Sequence, residues 1–201
     1  MELAAQIAAH LQRHVFLEIE ASGRHVHLTG ADAQALFGHG LTPLRPLSQP
    51  GQYVCRERVE LLGPKGTLSR VAVLGPERPE TQVEISLTDA VQLGLNPPVR
   101  LSGDIAGTPG VTIGGELGKI TIPQGVIAAK RHIHMTPEDA KERGVRDRDT
   151  VRLRVFTDRP VVFEDTVVRV SRDFSTVVHL DYDEANACGF RKGDLGMIEL
   201  E

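Results

Sequence analysis

A short motif recurs four times along this 201-residue chain, and it restricts the fold more than any other feature. In each copy a Ser, Thr or Asp is followed three residues later by Asp or Glu and then by Ala, and a Gly comes eight or nine residues after the first position. An oxygen-bearing side chain at the start, an acid in the first turn and a Gly at the end are typical of a helix of about two turns. The sequence therefore predicts four short helices, which begin after Thr29, Ser86, Thr136 and Asp181 and end at Gly38, Gly94, Gly144 and Gly189.

The segments between these helices are short and rich in β-branched residues, and turns rich in Gly and Pro separate them. Many short strands with close turns favour closed β-barrels over a doubly wound α/β sheet. The sequence thus predicts a mostly β fold with short helices, with a domain boundary in the loop at residues 102–110. The predicted strands are residues 71–74, 82–87, 111–113, 119–122, 125–129, 150–156, 160–170 and 176–180.

Composition excludes several classes of protein. The formal net charge is -4, so the basic surface expected for nucleic-acid binding is missing, and no apolar run approaches the length of a membrane span. Cys55 and Cys188 are too few for a disulfide framework and are expected to be free thiols. Residues 1–14 lack the features of a secretory signal and predict a short amphipathic helix packed on the body of a cytoplasmic protein.

The residue two positions before each predicted helix start can bind a metal ion, and two of the four have another histidine two residues earlier. These six are His25, His27, Glu84, His132, His134 and His179. Residues i and i+2 of a strand point to the same face about 7 Å apart, so each His-x-His pair can hold one ion. Nearly identical hexapeptides surround the two pairs, RHVHLT at 24–29 and RHIHMT at 131–136. This indicates duplicated half-sites, because a purely structural repeat would not account for the residue type.

Imidazole and carboxylate ligands suit zinc best, with cobalt, nickel and iron as alternatives. Six ligands shared between two ions leave three for each, which is the open arrangement of catalytic zinc. The expected division is His25, His27 and Glu84 on one ion, and His132, His134 and His179 on the other. Two such ions with one carboxylate carry a net charge of about +3, which attracts a phosphate dianion. The class of reaction does not follow from the ligands alone.

Seven segments resemble the phosphate propanoyltransferases, a family of zinc-dependent phosphate acyltransferases, and they follow the family's order from about residue 21 to residue 190. The segments are RHVHLT, LTPLRPLSQPGQY, VELLGPKGTL, VAVLGPERPETQVEIS, PVRLSGD, AKRHIHMTPEDA and VFEDTVVRVS. The resemblance implies two small β-barrel domains capped by short α-helices, with the active site between them. With the boundary predicted above, residues 1–104 form the N-terminal helix and the first barrel. Residues 105–201 form the second, whose C-terminal segment could pack back on the first.

The resemblance also implies two zinc ions in the division given above, Arg78 in contact with phosphate, and Ser102 close to the site. Coenzyme A is expected near Arg45, Leu74 and Asn186. The implied reaction interconverts acyl-CoA plus phosphate and acyl phosphate plus CoA, with an acetyl or propanoyl group, by direct attack of zinc-bound phosphate on the thioester. An acyl kinase is the expected functional partner, and a homo-oligomer is compatible with the sequence.

Two other classes of function remain open: a binuclear zinc hydrolase and a non-catalytic, cupin-like binding barrel. A cupin pattern expects an acid three or four residues after His-x-His, whereas the first acid after His27 is Asp32. Relatives that are targeted to microcompartments carry an extra amphipathic helix ahead of the core. Only about twenty residues precede Arg24, so a cytoplasmic enzyme without a targeting extension is expected. No residue identifies the acyl chain length or the physiological direction.

Overall fold

The computed structural model describes residues 3–7, 11 and 15–199, and strands dominate this part of the chain. The prediction of a mostly β fold with short helices is confirmed. The strands are β1 (Leu17–Ser22), β2 (His25–His27), β3 (Pro43–Pro46), β4 (Tyr53–Leu62), β5 (Thr67–Gly75), β6 (Gln82–Ile85), β7 (Val99–Arg100), β8 (Val111–Gly114), β9 (Lys119–Ile122), β10 (Val126–Ala129), β11 (His132–Met135), β12 (Thr150–Phe156), β13 (Val161–Val170), β14 (Val177–Asp181) and β15 (Leu195–Glu199). The capped helices are α1 (Gly30–Phe37), α2 (Leu87–Leu93), α3 (Pro137–Glu142) and α4 (Tyr182–Ala187).

The four predicted helix starts are confirmed, and each works through the same contact. The side chain of the cap residue accepts the backbone N–H three residues further on, at distances from 2.8 to 3.2 Å. The caps are Thr29, Ser86, Thr136 and Asp181. The four predicted glycines all have φ between 65° and 77°, a left-handed conformation that favours a residue without Cβ. Gly38 and Gly94 are the C-caps of α1 and α2, whereas the C-caps of α3 and α4, Arg143 and Cys188, lie one residue before the predicted glycine.

The segments Met1–Ser22 and Lys130–Glu201 make up one of two compact units. Its six strands close into a barrel in the order β1-β14-β11-β13-β12-β15. Strand β1 pairs in parallel with β14 and antiparallel with β15, so a strand from the start of the chain completes the ring. The interior is filled by buried aliphatic side chains from alternating strand positions, among them Ile19, Ile133, Leu153, Val168 and Leu180.

The second compact unit is Gly23–Ala129. Its nine strands form one sheet in the order β7-β10-β6-β2-β5-β4-β8-β9, with β3 added beside β4. This sheet curls into a half-barrel, so of the two expected barrels one is closed and the other is partly open. Its core is again aliphatic and includes Val26, Leu36, Leu61, Val73 and Ile113.

The observed division of the chain differs from the expected domains 1–104 and 105–201. The loop at 102–110 lies inside the half-barrel unit, because β8 pairs with β4 and β10 pairs with β6. Within that loop the Thr108 side chain and the Pro109 carbonyl accept the backbone N–H groups of Gly125 and Val126. The expected return of the C-terminal segment is also reversed, since it is the N-terminal strand β1 that joins the barrel formed by residues 130 onwards.

The predicted N-terminal helix falls partly outside the described residues. Residues 3–7 and 11 are helical, while the rest of the predicted stretch at 1–2, 8–10 and 12–14 is not described. Leu3, Ile7 and Leu11 are exposed, so the described part of this helix does not bury its apolar side chains as expected. Over the described residues, no helix combines the length and the apolar character needed to cross a membrane.

Candidate metal centres

The first group of potential metal ligands lies in the half-barrel unit, on two paired strands. Strand β2 carries His25 and His27, and β6 pairs antiparallel with it so that His25 stands opposite Glu84. One ligand atom from each of the three lies within 4.8 Å of the others. Nε2 of His25 is 3.6 Å, and Nε2 of His27 is 3.8 Å, from Oε1 of Glu84. The structure therefore brings these three predicted residues together, and all are buried.

Backbone carbonyls orient the two imidazoles of this first group. Nδ1 of His25 lies 2.8 Å from the Gly23 carbonyl oxygen, and Nδ1 of His27 lies 3.3 Å from that of Leu74. A carbonyl oxygen only accepts, so in the neutral ring Nδ1 carries the hydrogen and Nε2 keeps its lone pair on the side of the carboxylate. Metal-bound histidines typically donate their other ring N–H to a carbonyl or a carboxylate. Both rings thus have the hydrogen-bonding arrangement that is typical of metal-bound histidines.

Burial and neighbouring charges shift the pKa values of this group. Burial, followed by the charges of His25 and Arg78, lowers the pKa of His27 to about 3, so its imidazole is neutral at physiological pH. Burial opposes ionisation of Glu84, but His25, His27 and a hydrogen bond from Ser102 bring its pKa well below the usual value. Burial likewise lowers the pKa of His25, and the Glu84 carboxylate outweighs it, so the net shift is upward. A buried carboxylate beside nitrogen donors is an environment that favours a cation.

The second group lies in the barrel, with the same layout. Strand β11 carries His132 and His134, and β14 pairs antiparallel with it so that His132 stands opposite His179. One ring nitrogen from each lies within 4.8 Å of the others, and the ring centroid of His179 is 5.2 Å and 5.0 Å from those of His132 and His134. Nδ1 of His132 lies 2.8 Å from the carbonyl oxygen of Lys130, the same contact two residues back that His25 makes. The structure therefore also brings together the second predicted trio.

The nitrogen atoms of the second group are arranged as a cation site. Nε2 of His132 and Nε2 of His134 are 3.0 Å apart. Because Nδ1 of His132 holds the ring hydrogen, its Nε2 directs a lone pair at another imidazole, and two such nitrogens are stable this close when a hydrogen or a metal ion lies near both. Glu20 on β1 places Oε2 3.3 Å from Nε2 of His179. Imidazole nitrogens with a nearby carboxylate are donors that suit zinc, so the residues of both groups fit that ion.

The same set of hydrogen bonds supports both His-x-His strands. In the half-barrel, Oγ1 of Thr81 accepts the backbone N–H of Thr29 at 3.0 Å and donates to the carboxylate of Asp32. The barrel repeats these contacts with the same residue types, Thr176, Thr136 and Asp139. These contacts tie the residue directly before the strand of the third potential ligand to the cap and first turn of the helix that follows the histidines. The duplication seen in the sequence is therefore a duplication of tertiary contacts as well.

An arginine comes directly before each His-x-His pair and binds the acid three residues after a helix cap. Nη2 of Arg24 is 2.9 Å from Oδ1 of Asp89, and Nη1 of Arg131 is 2.7 Å from Oε1 of Glu184. Both acids also belong to capping boxes, since their side chains accept the backbone N–H of their own cap residue. The arginine of the repeated hexapeptide is thus a structural part of each half-site.

Arg78 and Ser102, which were expected beside phosphate, contact each other and lie next to the first group. Nη1 of Arg78 donates to Oγ of Ser102 at 3.0 Å. The backbone N–H of Arg78 donates to the carbonyl of Leu28, the residue after His27, at 2.8 Å. Nε2 of Gln82 donates both to Oγ of Ser102 and to Oε1 of Glu84, so Ser102 lies beside the Glu84 carboxylate. The structure therefore places both residues at the half-barrel site.

Gln82 is the residue of this site that sequence reasoning missed. Its Nε2 donates to Oε1 of Glu84 at 2.6 Å and to Oγ of Ser102 at 2.8 Å, and its Oε1 accepts the backbone N–H of Gly103 at 2.8 Å. A signal was available, because Gln82 and Glu84 have the same i, i+2 spacing as the histidine pairs. Glu20, the other missed residue, had no such signal, since its strand lies outside the repeated unit.

The three residues expected to contact coenzyme A differ in exposure and do not all belong to the same unit. Leu74 on β5 is half-buried beside the first group, where its carbonyl contacts His27. Arg45 on β3 is exposed, and Val54 pairs with both Arg45 and Leu74, which sets these two at the same level of the sheet. Asn186 is exposed on α4, in the barrel unit. Contact of these three residues with coenzyme A stays a prediction.

Comparison with known proteins defines the class. The family model described as phosphate propanoyltransferase matches residues 18–191. The chain is 51% identical to the phosphate propanoyltransferase of Clostridioides difficile and 52% identical to that of Listeria monocytogenes, in each case over 98% of this chain and 95% of the relative. It is 51% identical to the Thermotoga maritima protein of the same name, over 94% of this chain and 91% of the relative.

These matches identify the chain as an enzyme of the acyltransferase class. The chain belongs to the phosphate propanoyltransferase family, which confirms the resemblance predicted from its sequence. Membership of this family supports a phosphate acyltransferase activity.

Proposed function

We propose that this enzyme moves an acetyl or propanoyl group between coenzyme A and inorganic phosphate, with two zinc ions, one held by each unit. The observation that carries the proposal is the pair of residue groups, in each of which three potential ligand atoms lie within 4.8 Å of one another. His25, His27 and Glu84 would hold one ion, and His132, His134 and His179 the other. When bound, the ions would supply concentrated positive charge that attracts the phosphate dianion and stabilises charge that develops on oxygen.

Arg78 is the protein group best suited to bind phosphate. Its planar guanidinium has five N–H donors, and Nη1 donates to Ser102. Its positive charge is close enough to His27 to add to the effect of burial in lowering the pKa of that imidazole. Holding a phosphate oxygen in line with a thioester carbonyl turns a bimolecular encounter into a positioned one, which lowers the entropic part of the barrier. Arg45, Leu74 and Asn186 are proposed to bind coenzyme A, with the exposed guanidinium of Arg45 suited to its phosphates.

The proposed chemical step is a direct transfer. A phosphate oxygen attacks the carbonyl carbon of acyl-CoA, the carbon–sulfur bond breaks, and coenzyme A leaves as its thiolate while acyl phosphate forms. An acyl phosphate is the substrate that an acyl kinase consumes, and we propose this coupling for the product. The protein's own thiols are poor nucleophiles for the alternative of an acyl-enzyme. Cys55 is buried, and burial together with Glu57 raises its pKa to about 12, while burial also raises the pKa of Cys188.

The test is a thiol-release assay with acetyl-CoA, propanoyl-CoA and butanoyl-CoA, with and without phosphate, together with metal content by emission spectroscopy. Phosphate-dependent release of thiol with two zinc ions per chain is expected. Release that does not need phosphate would indicate a zinc hydrolase instead, and metal without any release would indicate a non-catalytic binding barrel. Exchange of labelled coenzyme A into acyl-CoA without phosphate would contradict direct transfer.

A further inference from the structure

The amide of Gln82 occupies a buried position at the half-barrel site, where every one of its polar atoms has a partner. The residue is 2% exposed. Its Nε2 donates to Glu84 and to Ser102, and its Oε1 accepts from the backbone of Gly103. A carboxylate accepts only and a backbone N–H donates only, so the amide can make both contacts in just one of its two orientations. The side chain is therefore fixed in place and in direction.

The contacts of Gln82 connect the carboxylate ligand to the turn that carries Ser102. Oε1 of Glu84, which receives the N–H of Gln82, is also the oxygen 3.6 Å and 3.8 Å from the two imidazole nitrogens of the first group. Oγ of Ser102 accepts from both Gln82 and Arg78, so both of its lone pairs are in use. Gln82 and Ser102 thus connect the Glu84 carboxylate to Arg78.

The barrel unit provides an internal comparison for this arrangement. In the half-barrel His27 stands opposite Gln82, and in the barrel His134, at the equivalent place, stands opposite Val177. The side chain of valine has no hydrogen-bonding group. The third potential ligand of the barrel is the imidazole of His179, so this group contains no carboxylate for an amide to hold. The amide is thus found in the unit whose third ligand is a carboxylate.

We propose that Gln82 is a positioning residue, which holds Glu84 in its metal-binding orientation and ties it through Ser102 to Arg78. This inference rests on the proposed function, because it assumes that Glu84 binds a metal ion. In this arrangement Ser102 joins the amide of Gln82 to the guanidinium of Arg78. Loss of the amide is expected to weaken the binding of one metal ion only. It should also raise the KM for phosphate more than the KM for acyl-CoA, because Arg78 loses its fixed neighbour.

The test replaces Gln82 by Met, which keeps the length of the side chain and removes its donors and acceptor. Zinc affinity is measured on the full chain by competition with a chromophoric chelator, and cobalt-loaded protein is examined by its visible absorption. Loss of an outer-shell partner typically weakens metal binding about 10- to 100-fold. We expect that loss for one of the two ions, a changed cobalt spectrum for that ion, and an unchanged affinity for the other. Gln92→Met is the matched control, because Gln92 is exposed and bonds only a backbone carbonyl among the contacts reported for it.

A second variant and a double variant separate the possible outcomes. Gln82→Val copies Val177 of the barrel and should show the same selective loss. In a His134→Ala background, where only the first group is complete, Gln82→Met should weaken the binding of the remaining zinc ion. Unchanged affinity of both ions, equal weakening of both, or unfolding of both Gln82 variants would overturn the proposal. A wild-type protein that binds no zinc would instead overturn the proposed function.

Discussion

The two ligand groups show one scaffold that carries two different donor sets. Each has a His-x-His strand, an antiparallel partner strand with the third ligand, and the same threonine and aspartate contacts behind it. The third ligand stands at the equivalent place in both, opposite the first histidine of the pair, but it is a carboxylate in the half-barrel and an imidazole in the barrel. That ligand is Glu84 in the one and His179 in the other.

The neighbours of the third ligand differ in a complementary way. On the strand that pairs in parallel with it, Ile127 stands beside Glu84, and Glu20 stands beside His179. The carboxylate of Glu84 has a hydrogen-bond donor next to it, the amide of Gln82. The imidazole of His179 instead has an acceptor next to it, the carboxylate of Glu20. An acceptor-only group needs a donor for support and a ring N–H needs an acceptor. The comparison teaches that the supporting residue follows from the chemistry of the ligand, not from the shared scaffold.

The largest expected effect is the loss of one histidine from either group. His27→Ala and His134→Ala should each leave one zinc ion per chain. Activity should fall by more than about 100-fold in both, because even an outer-shell change commonly costs 10- to 100-fold. Metal content by emission spectroscopy and the thiol-release assay measure the two effects. His39→Ala is the control, since His39 is exposed and belongs to neither group. Full activity of the two ligand variants would end the assignment of these groups to catalysis.

A ligand exchange tests whether the supporting residues matter as the comparison suggests. Glu84→His should weaken binding of the first ion by about 10-fold, because the ring N–H of the new imidazole would meet the amide donor of Gln82 and the side chain of Ile127, with no carboxylate to accept it. His179→Glu should weaken the second ion by more than about 100-fold, because the new carboxylate would meet Val177 without a donor and Glu20 with like charge. Zinc competition on both variants measures the difference. Equal effects of the two exchanges would show that the neighbours do not distinguish the ligands.

The grouping of these histidines beside a helix cap could be predicted from the sequence because its determinants are local. The cap residue, the acid three positions later and the alternating histidines specify helix start and strand face within about twelve residues, and duplication repeats the signal. The antiparallel pairing that places Gln82 opposite His27 joins residues 55 positions apart, and no local pattern encodes it. The entry of β1 into the barrel depends in the same way on pairing with β14, more than 150 residues later, so the domain boundary could not be read from the loop at 102–110.

The threonines behind the two groups should make comparable contributions to stability. Thr81→Val and Thr176→Val each remove a hydroxyl that accepts a backbone N–H and donates to an aspartate, which leaves both partners unsatisfied. We expect each to lower the free energy of unfolding by about 1–3 kcal/mol, with the larger loss for the more deeply buried Thr81. Thermal unfolding checks this. Thr121→Val is the control, because Thr121 is exposed and its hydroxyl bonds that of Thr112 on the neighbouring strand. A larger loss from Thr176 than from Thr81 would contradict the order.

The smallest effect is expected at the two cysteines, one in each unit. Burial raises the pKa of both thiols, so both remain protonated at neutral and mildly alkaline pH. At pH 8 a thiol with the pKa of about 12 given for Cys55 is a thiolate only about one part in 10⁴ of the time, and the thiolate is the reactive form. Iodoacetamide should therefore modify neither Cys55 nor Cys188 in the native enzyme, as mass spectrometry can measure, and both once it is unfolded. Rapid alkylation with loss of activity would place a reactive thiol in the site and reopen the route through an acyl-enzyme, which direct attack by phosphate does not need.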